Sequence, residues 1–239
     1  FVYPDGEEPV LKDVSFSAKK GETIAFIGST GSGKSTLVNL IPRFYDVSEG
    51  SIRIDGVDIR EYDVYELRSR LGVIPQKAFL FNGTIADNIR FGKPDATEEE
   101  IIQAAKTAQA YDFIMEKEHG FEEEITEGAT NVSGGQKQRL SIARALVRKP
   151  DIYVFDDSFS ALDFKTDATL RKDLKKVTAN SIVMVVAQRI SSIMDADRIV
   201  VLNEGNVIGM GTHHELLKSC EIYKEIALSQ LSEEELAHE

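Results

Sequence analysis

The sequence predicts an α/β fold: a parallel-sheet core, a small antiparallel β subdomain and an inserted α-helical subdomain. Three observations carry this. Apolar runs at 152–155, 182–186 and 199–202 are separated by helical segments, as in strands buried on both faces of a parallel sheet. The β-rich run 23–27 ends in a glycine-rich turn followed by the apolar stretch 37–41, which reads as strand, loop, helix. From Thr84 to Val147 helical patterns dominate.

The remaining elements follow in chain order. Residues 1–3 and 14–17 are strand-like by composition. Residues 51–54 and 57–59 flank Asp55-Gly56, a two-residue hairpin signal that places the small antiparallel sheet. Thr97 precedes Glu98, Glu99 and Glu100, an N-cap with an acidic first turn that suits the helix dipole. The expected organisation is one domain over 1–239: a core from 1–76 and 149–230 that includes the β subdomain, a helical subdomain over 77–148, and a frayed acidic tail over 231–239.

Composition excludes several classes. A chain of 239 residues is the size of one α/β unit, and its net charge of -12 argues against a protein that holds nucleic acid by general phosphate attraction. The single cysteine, Cys220, cannot form an internal disulfide, no Cys/His spacing suggests a structural zinc site, and a reducing, cytosolic setting fits. The histidines, His213 and His214 among them, are expected at the surface near a helix start. The longest strongly apolar stretch, 182–187, falls far short of the roughly 20 residues that span a bilayer. The chain opens at Phe1 without an initiator methionine, so a longer protein is expected, with any membrane part outside these residues.

The strongest chemical motif is Gly28-Ser29-Thr30-Gly31-Ser32-Gly33-Lys34-Ser35, which matches G-x-x-x-x-G-K-[ST] at every fixed position. Backbone N–H groups from Ser29 to Thr36 would wrap phosphates, Lys34 would reach the β- and γ-phosphates, and Ser35 would ligate Mg²⁺. A glycine-rich turn that merely precedes a helix would look similar, but here a strand leads in and a helix leads out. This predicts a P-loop NTPase core of RecA-like type that takes ATP with Mg²⁺. A second element is the apolar run ending in Asp156 and Asp157. A buried strand that delivers a carboxylate at its C-terminal edge can hold Mg²⁺ beside the phosphate loop, and Asp156 takes that part. Alone, the pair would read as an acidic cap on the next helix.

Ser133-Gly134-Gly135-Gln136, followed by Lys137-Gln138-Arg139 and a helical run, resembles the signature sequence of ABC transporter ATPases. The resemblance covers essentially the whole chain, and 80–89 looks more like exporters than importers. It implies that Tyr3 stacks on adenine, that Gln76 senses Mg²⁺ and water, that Glu127 contacts membrane-domain helices, and that residues 160–163 communicate across a dimer. Two positions depart from the family pattern. Asp157 stands where a glutamate polarises the attacking water, and Gln188 stands where a histidine contacts the γ-phosphate. Asp is one methylene shorter, and glutamine cannot carry a histidine's positive charge, so hydrolysis should suffer.

This pairing resembles the degenerate-site subunit of heterodimeric ABC exporters. Such domains dimerise head to tail, so the resemblance implies two unequal sites. In one, Tyr3, Gly33, Lys34, Ser35, Gln76, Asp156, Asp157 and Gln188 would hold ATP and turn it over slowly. In the other, Ser133, Gly134, Gly135 and Gln136 would close on ATP bound by a homologous partner that supplies the catalytic glutamate and histidine. Transmembrane domains upstream of Phe1 and a place on the cytoplasmic face of the cell membrane are implied as well. Multidrug export is the commonest association. A regulatory nucleotide-binding module without turnover and a soluble ABC ATPase are the alternatives.

Overall fold

The structure, a computed structural model, describes residues 1–231. Its centre is a six-stranded sheet of order β10-β9-β1-β8-β7-β4. These strands are β1 (Thr23–Gly28), β4 (Leu71–Ile74), β7 (Ile152–Asp156), β8 (Ile182–Val186), β9 (Arg198–Asn203) and β10 (Asn206–Gly211). All neighbours run parallel except β10, which returns antiparallel to β9 with a register shift between Val207 and Gly209. Each residue of β7 is buried, which is why residues 152–155 read as an unbroken apolar run before Asp156.

Alternation along the strands sends side chains to two cores. On one face Ile24, Phe26, Val154, Met184 and Val200 pack with Leu37 and Val38 of α1 (Lys34–Leu40) and Leu67 of α2 (Val64–Ser69). On the other, Ala25, Ile27, Phe155, Val185, Ile199 and Val201 meet a larger helical layer. That layer holds Leu140 of α6 (Gly134–Val147), Leu170 and Leu174 of α7 (Phe164–Val177), and Tyr223 and Ala227 of α9 (Glu221–Gln230). Each such fully buried Ile, Leu or Phe contributes about 1.5–3 kcal/mol relative to exposure.

The Asp55-Gly56 signal produces β2 (Arg53–Ile54) and β3 (Val57–Asp58), paired antiparallel as expected. The stretch between β4 and β7 carries α3 (Ile85–Arg90), α4 (Glu98–Thr107), α5 (Tyr111–Met115) and α6. It also holds a strand pair absent from the sequence reading, β5 (Gly83–Thr84) with β6 (Glu124–Ile125). Thr97 caps α4 as its position foretold. Its Oγ1 accepts the Glu100 N–H at 3.2 Å, and the Glu100 carboxylate accepts the Thr97 N–H at 3.2 Å.

Three expectations are corrected. Residues 1–3 and 14–17 are not strands. Phe16 packs edge-on against Phe26 at 5.3 Å, and the Ser17 carbonyl accepts from the Arg198 side chain at 2.8 Å, so a side chain takes the place of a ladder partner. His213 is not at the surface. It opens α8 (His213–Ser219), is 2% exposed, and sets Nδ1 2.6 Å from the Tyr223 hydroxyl where α8 folds back on α9. The expected tail beyond Leu231 lies outside the described residues. Among the described residues no helix is long and apolar enough to cross a membrane.

Candidate functional site

The loop from β1 to α1 is shaped by glycine. Gly28 has φ 154°, and a Cβ there would lie 2.0 Å from the Leu202 carbonyl oxygen, so only glycine lets β1 leave the sheet this close to β9. Gly33 caps α1 at φ 98°, where a Cβ would meet Leu11 at 2.7 Å. Lys34 folds over the loop and donates to the carbonyls of Gly28 at 2.8 Å and Ser29 at 2.7 Å and to Ser32 Oγ at 3.2 Å. Burial holds its ammonium below the ordinary lysine range, partly countered by the nearby charges of Asp157 and Asp156. A desolvated cation pinned to carbonyls is ready to exchange them for a better anion. Tyr3 reaches the same loop: its hydroxyl lies 2.9 Å from Thr36 Oγ1, and its ring stands edge-on to Phe1 and Tyr45 at 4.9 and 5.1 Å.

Strand order assembles the rest. β1, β8, β7 and β4 are consecutive neighbours and parallel, so the loops at their C-terminal ends share one edge of the sheet, the edge where open α/β sheets bind ligands. β7 ends in Asp156, and Asp157 follows; Gln76 lies just past β4 and Gln188 just past β8. Gln76 Nε2 donates to Asp157 Oδ2 at 2.9 Å, and Gln188 Nε2 donates to the same oxygen at 2.7 Å. Asp157 adopts φ 47°, a left-handed conformation that aspartate tolerates better than most residues, and its N–H donates to the Val186 carbonyl at 3.0 Å. Both amides thus converge on one buried carboxylate oxygen.

Ser35 Oγ donates to Asp156 Oδ1 at 2.8 Å. Burial raises the Asp156 carboxyl above its ordinary range, the Ser35 bond opposes this, and Asp157 adds repulsion. A buried carboxylate beside a second one favours a cation, and the oxygen donors Ser35 Oγ and Asp156 Oδ1, 2.8 Å apart, suit Mg²⁺. Among the described residues no group of three or more His, Cys, Asp or Glu side chains is placed to hold a metal. A cation here therefore depends on fewer than three such side chains, together with neutral oxygens and the oxygens of a ligand.

Ser133, Gly134, Gly135 and Gln136 form the N-terminus of α6 and bond among themselves. Ser133 Oγ accepts the Gln136 N–H at 3.2 Å, and Gln136 Oε1 accepts the Ser133 N–H at 2.9 Å. Gly135 packs so close to the Ala161 carbonyl that a Cβ would lie 3.2 Å from it. Ser160 Oγ donates to the Asp157 carbonyl at 2.8 Å, so residues 160–163 link the signature end of α6 to the carboxylate site. Glu127 is exposed in a short turn before α6.

Two polar residues inside the helical layer escaped the sequence reading. Buried Gln138 donates to the Pro75 carbonyl at 3.1 Å and so ties α6 to the residue before Gln76. Arg144 donates to the Asn88 and Phe79 carbonyls at 2.8 and 2.9 Å and to Asn88 Oδ1 at 2.9 Å, with Phe81 4.8 Å from its guanidinium. Burial lowers its pKa to about 10. The signal available was an arginine within an apolar helical run, where a charge persists only if it is bonded.

Residues 11–160 match the family model for the ABC transporter. The chain belongs to the ABC transporter family. As an ABC domain it is 48% identical over 233 residues to an uncharacterised ABC transporter ATP-binding protein of Mycobacterium tuberculosis, an alignment that covers 96% of this chain and 40% of the relative. It is 45% identical over 226 residues to a Staphylococcus aureus protein named for multidrug export as an ATP-binding/permease protein, covering 95% of this chain and 39% of that one. A solved structure of a bacterial Atm1-family ABC exporter with ATP bound superposes with a TM-score of 0.93 at 39% identity, over 97% of this chain and 41% of that one. The ABC domain therefore spans about 40% of the length of the curated relatives it matches.

Proposed function

We propose that this ABC domain binds Mg·ATP at residues 28–36, between itself and a second, homologous domain, and hydrolyses it slowly. The carrying observation is the Asp157 carboxylate, one of whose oxygens is engaged by both Gln76 and Gln188. A general base must reach the water it activates, and a side chain one methylene shorter than glutamate, drawn toward two amides, is poorly placed for that. The backbone N–H groups of Ser29 to Thr36 hold the phosphates, Lys34 moves from its carbonyls to the β- and γ-phosphate oxygens, and Tyr3 offers its ring to adenine. Ser35, Asp156 and Gln76 hold Mg²⁺, which when bound neutralises charge on the phosphate oxygens. Gln188 donates a hydrogen bond toward the γ-phosphate without the charge of an imidazolium.

The α6 N-terminus serves a second site. Ser133, Gly134, Gly135 and Gln136, backed by the positive end of a helix of 14 residues, close on ATP held by the partner, which supplies the glutamate and histidine replaced here. In this reading the two domains form a heterodimer at the cytoplasmic face of a membrane exporter, coupled to transmembrane segments preceding Phe1 through the surface near Glu127. The core (1–76 and 149–230) binds nucleotide, and the helical subdomain (77–148) presents the signature residues. The test is steady-state ATP turnover by the chain alone and with a competent partner domain. Low turnover alone and stimulated turnover with the partner support the reading. Fast turnover alone overturns the slow-site assignment, and none with the partner favours a regulatory module.

A further inference from the structure

The loop carrying Gln188 is held from the far end of the chain. Gln230, the last residue of α9, donates from Nε2 to the Gln188 carbonyl at 2.8 Å and accepts the Ile190 N–H on Oε1 at 2.8 Å. One carboxamide thus bonds the peptide groups on both sides of Arg189, as a neighbouring parallel strand would. The segment has two further anchors. Ile190 is fully buried in the core, and the Arg189 guanidinium lies 4.9 Å from the centroid of the Phe164 ring at the start of α7. These ties fix the backbone from which the Gln188 side chain reaches Asp157 at 2.7 Å.

We propose that Gln230 is a positioning residue for Gln188, so that the end of α9 controls the geometry of the nucleotide site. A carboxamide supplies both halves of the clamp from two separate atoms. A carboxylate keeps the acceptor for Ile190 but sets a negative charge against the Gln188 carbonyl, and a cation has no acceptor to offer. Gln230 is exposed, so losing the clamp should barely change global stability. Its effect belongs at the site, where displacements near 1 Å change rates by about a hundredfold. The inference rests on the proposed role of Gln188 beside bound ATP.

The experiment uses the full chain carrying Asp157→Glu, which is expected to raise turnover to a measurable level and keeps Gln188 unsubstituted. Gln230→Ala and Gln230→Glu are compared with Ser229→Ala, whose hydroxyl donates within its own helix to the Ile226 carbonyl at 2.7 Å. The expected result is a loss of about tenfold in kcat for both Gln230 variants, with KM for ATP within about twofold, and no change for Ser229→Ala. Unchanged kcat, or an equal loss in Ser229→Ala, overturns the proposal. If Asp157→Glu fails to raise turnover, the slow-site reading fails separately, and the side-chain amide resonance of Gln188 in the unaltered chain decides. A shift of that resonance in Gln230→Ala, with an unchanged melting temperature, upholds the clamp; an unmoved resonance overturns it.

Discussion

Replacing Asp157 with glutamate tests the chemistry most directly. Asp157 is 6% exposed, its N–H is bonded to the Val186 carbonyl at 3.0 Å, and Gln76 and Gln188 hold its Oδ2 at 2.9 and 2.7 Å. The Val186 bond restrains the backbone, so an added methylene, a C–C bond of about 1.5 Å, should carry the carboxylate outward past the two amides. A displacement near 1 Å is worth about a hundredfold in rate, so Asp157→Glu should raise the single-turnover rate by ten- to a hundredfold, roughly 1.4–2.7 kcal/mol of barrier. Phosphate release is measured with the chain in excess over ATP, beside an equilibrium ATP affinity that should stay within about twofold. Gln188→His completes a double-mutant cycle. The two side chains share a direct bond, so the changes should couple by at least about 0.5 kcal/mol. An unchanged rate in Asp157→Glu with ATP binding intact would refute the reasoning, and strict additivity would show that positions 157 and 188 do not act as a unit.

Asp156→Asn should raise the melting temperature of the nucleotide- and Mg²⁺-free chain at pH 7. The native carboxyl binds its proton more tightly than the unfolded one, so its ionisation opposes folding. The gain should shrink as pH falls through the raised native pKa and vanish below the ordinary aspartate value near 4; calorimetry across pH checks this, and Mg²⁺-dependent ATP binding should be lost. Arg144→Ala removes three hydrogen bonds and the contact with Phe81, so it should cost about 3 kcal/mol in urea unfolding, with Arg144→Lys costing less. A loss under about 0.5 kcal/mol would show that Arg144 does not hold the 79–88 segment. Ser133→Ala should lower stability of the chain alone by about 1 kcal/mol through its helix cap, while turnover of the assembled pair falls more than tenfold. Equal pair turnover in variant and parent would remove the signature residues from the partner's site.

Local chemistry was legible wherever one short stretch sufficed. The phosphate loop, the Asp55-Gly56 hairpin, the Thr97 cap and the buried runs of β7, β8 and β9 each follow from residue types at fixed spacing. Such elements depend on backbone conformation and periodicity, which the sequence carries directly. Residues 14–17 failed because β-rich composition does not make a strand unless a partner supplies the ladder. His213 failed because only the return of α9 over α8 brings Tyr223 to it. The sequence also marked Asp157 and Gln188 as unusual, but only through resemblance, and it could not place them together. Strand order decided that: β4 and β8 flank β7, so loops far apart in the chain meet on one carboxylate oxygen. Gln230 has no motif, since its two bonds are to main-chain groups at 188 and 190, and main-chain groups look alike at every position. The sequence by itself determined those elements whose residue types and spacing suffice locally, and it named candidate atoms for the chemistry. The tertiary structure decided which of them touch, because long-range contact is set by strand order and helix packing.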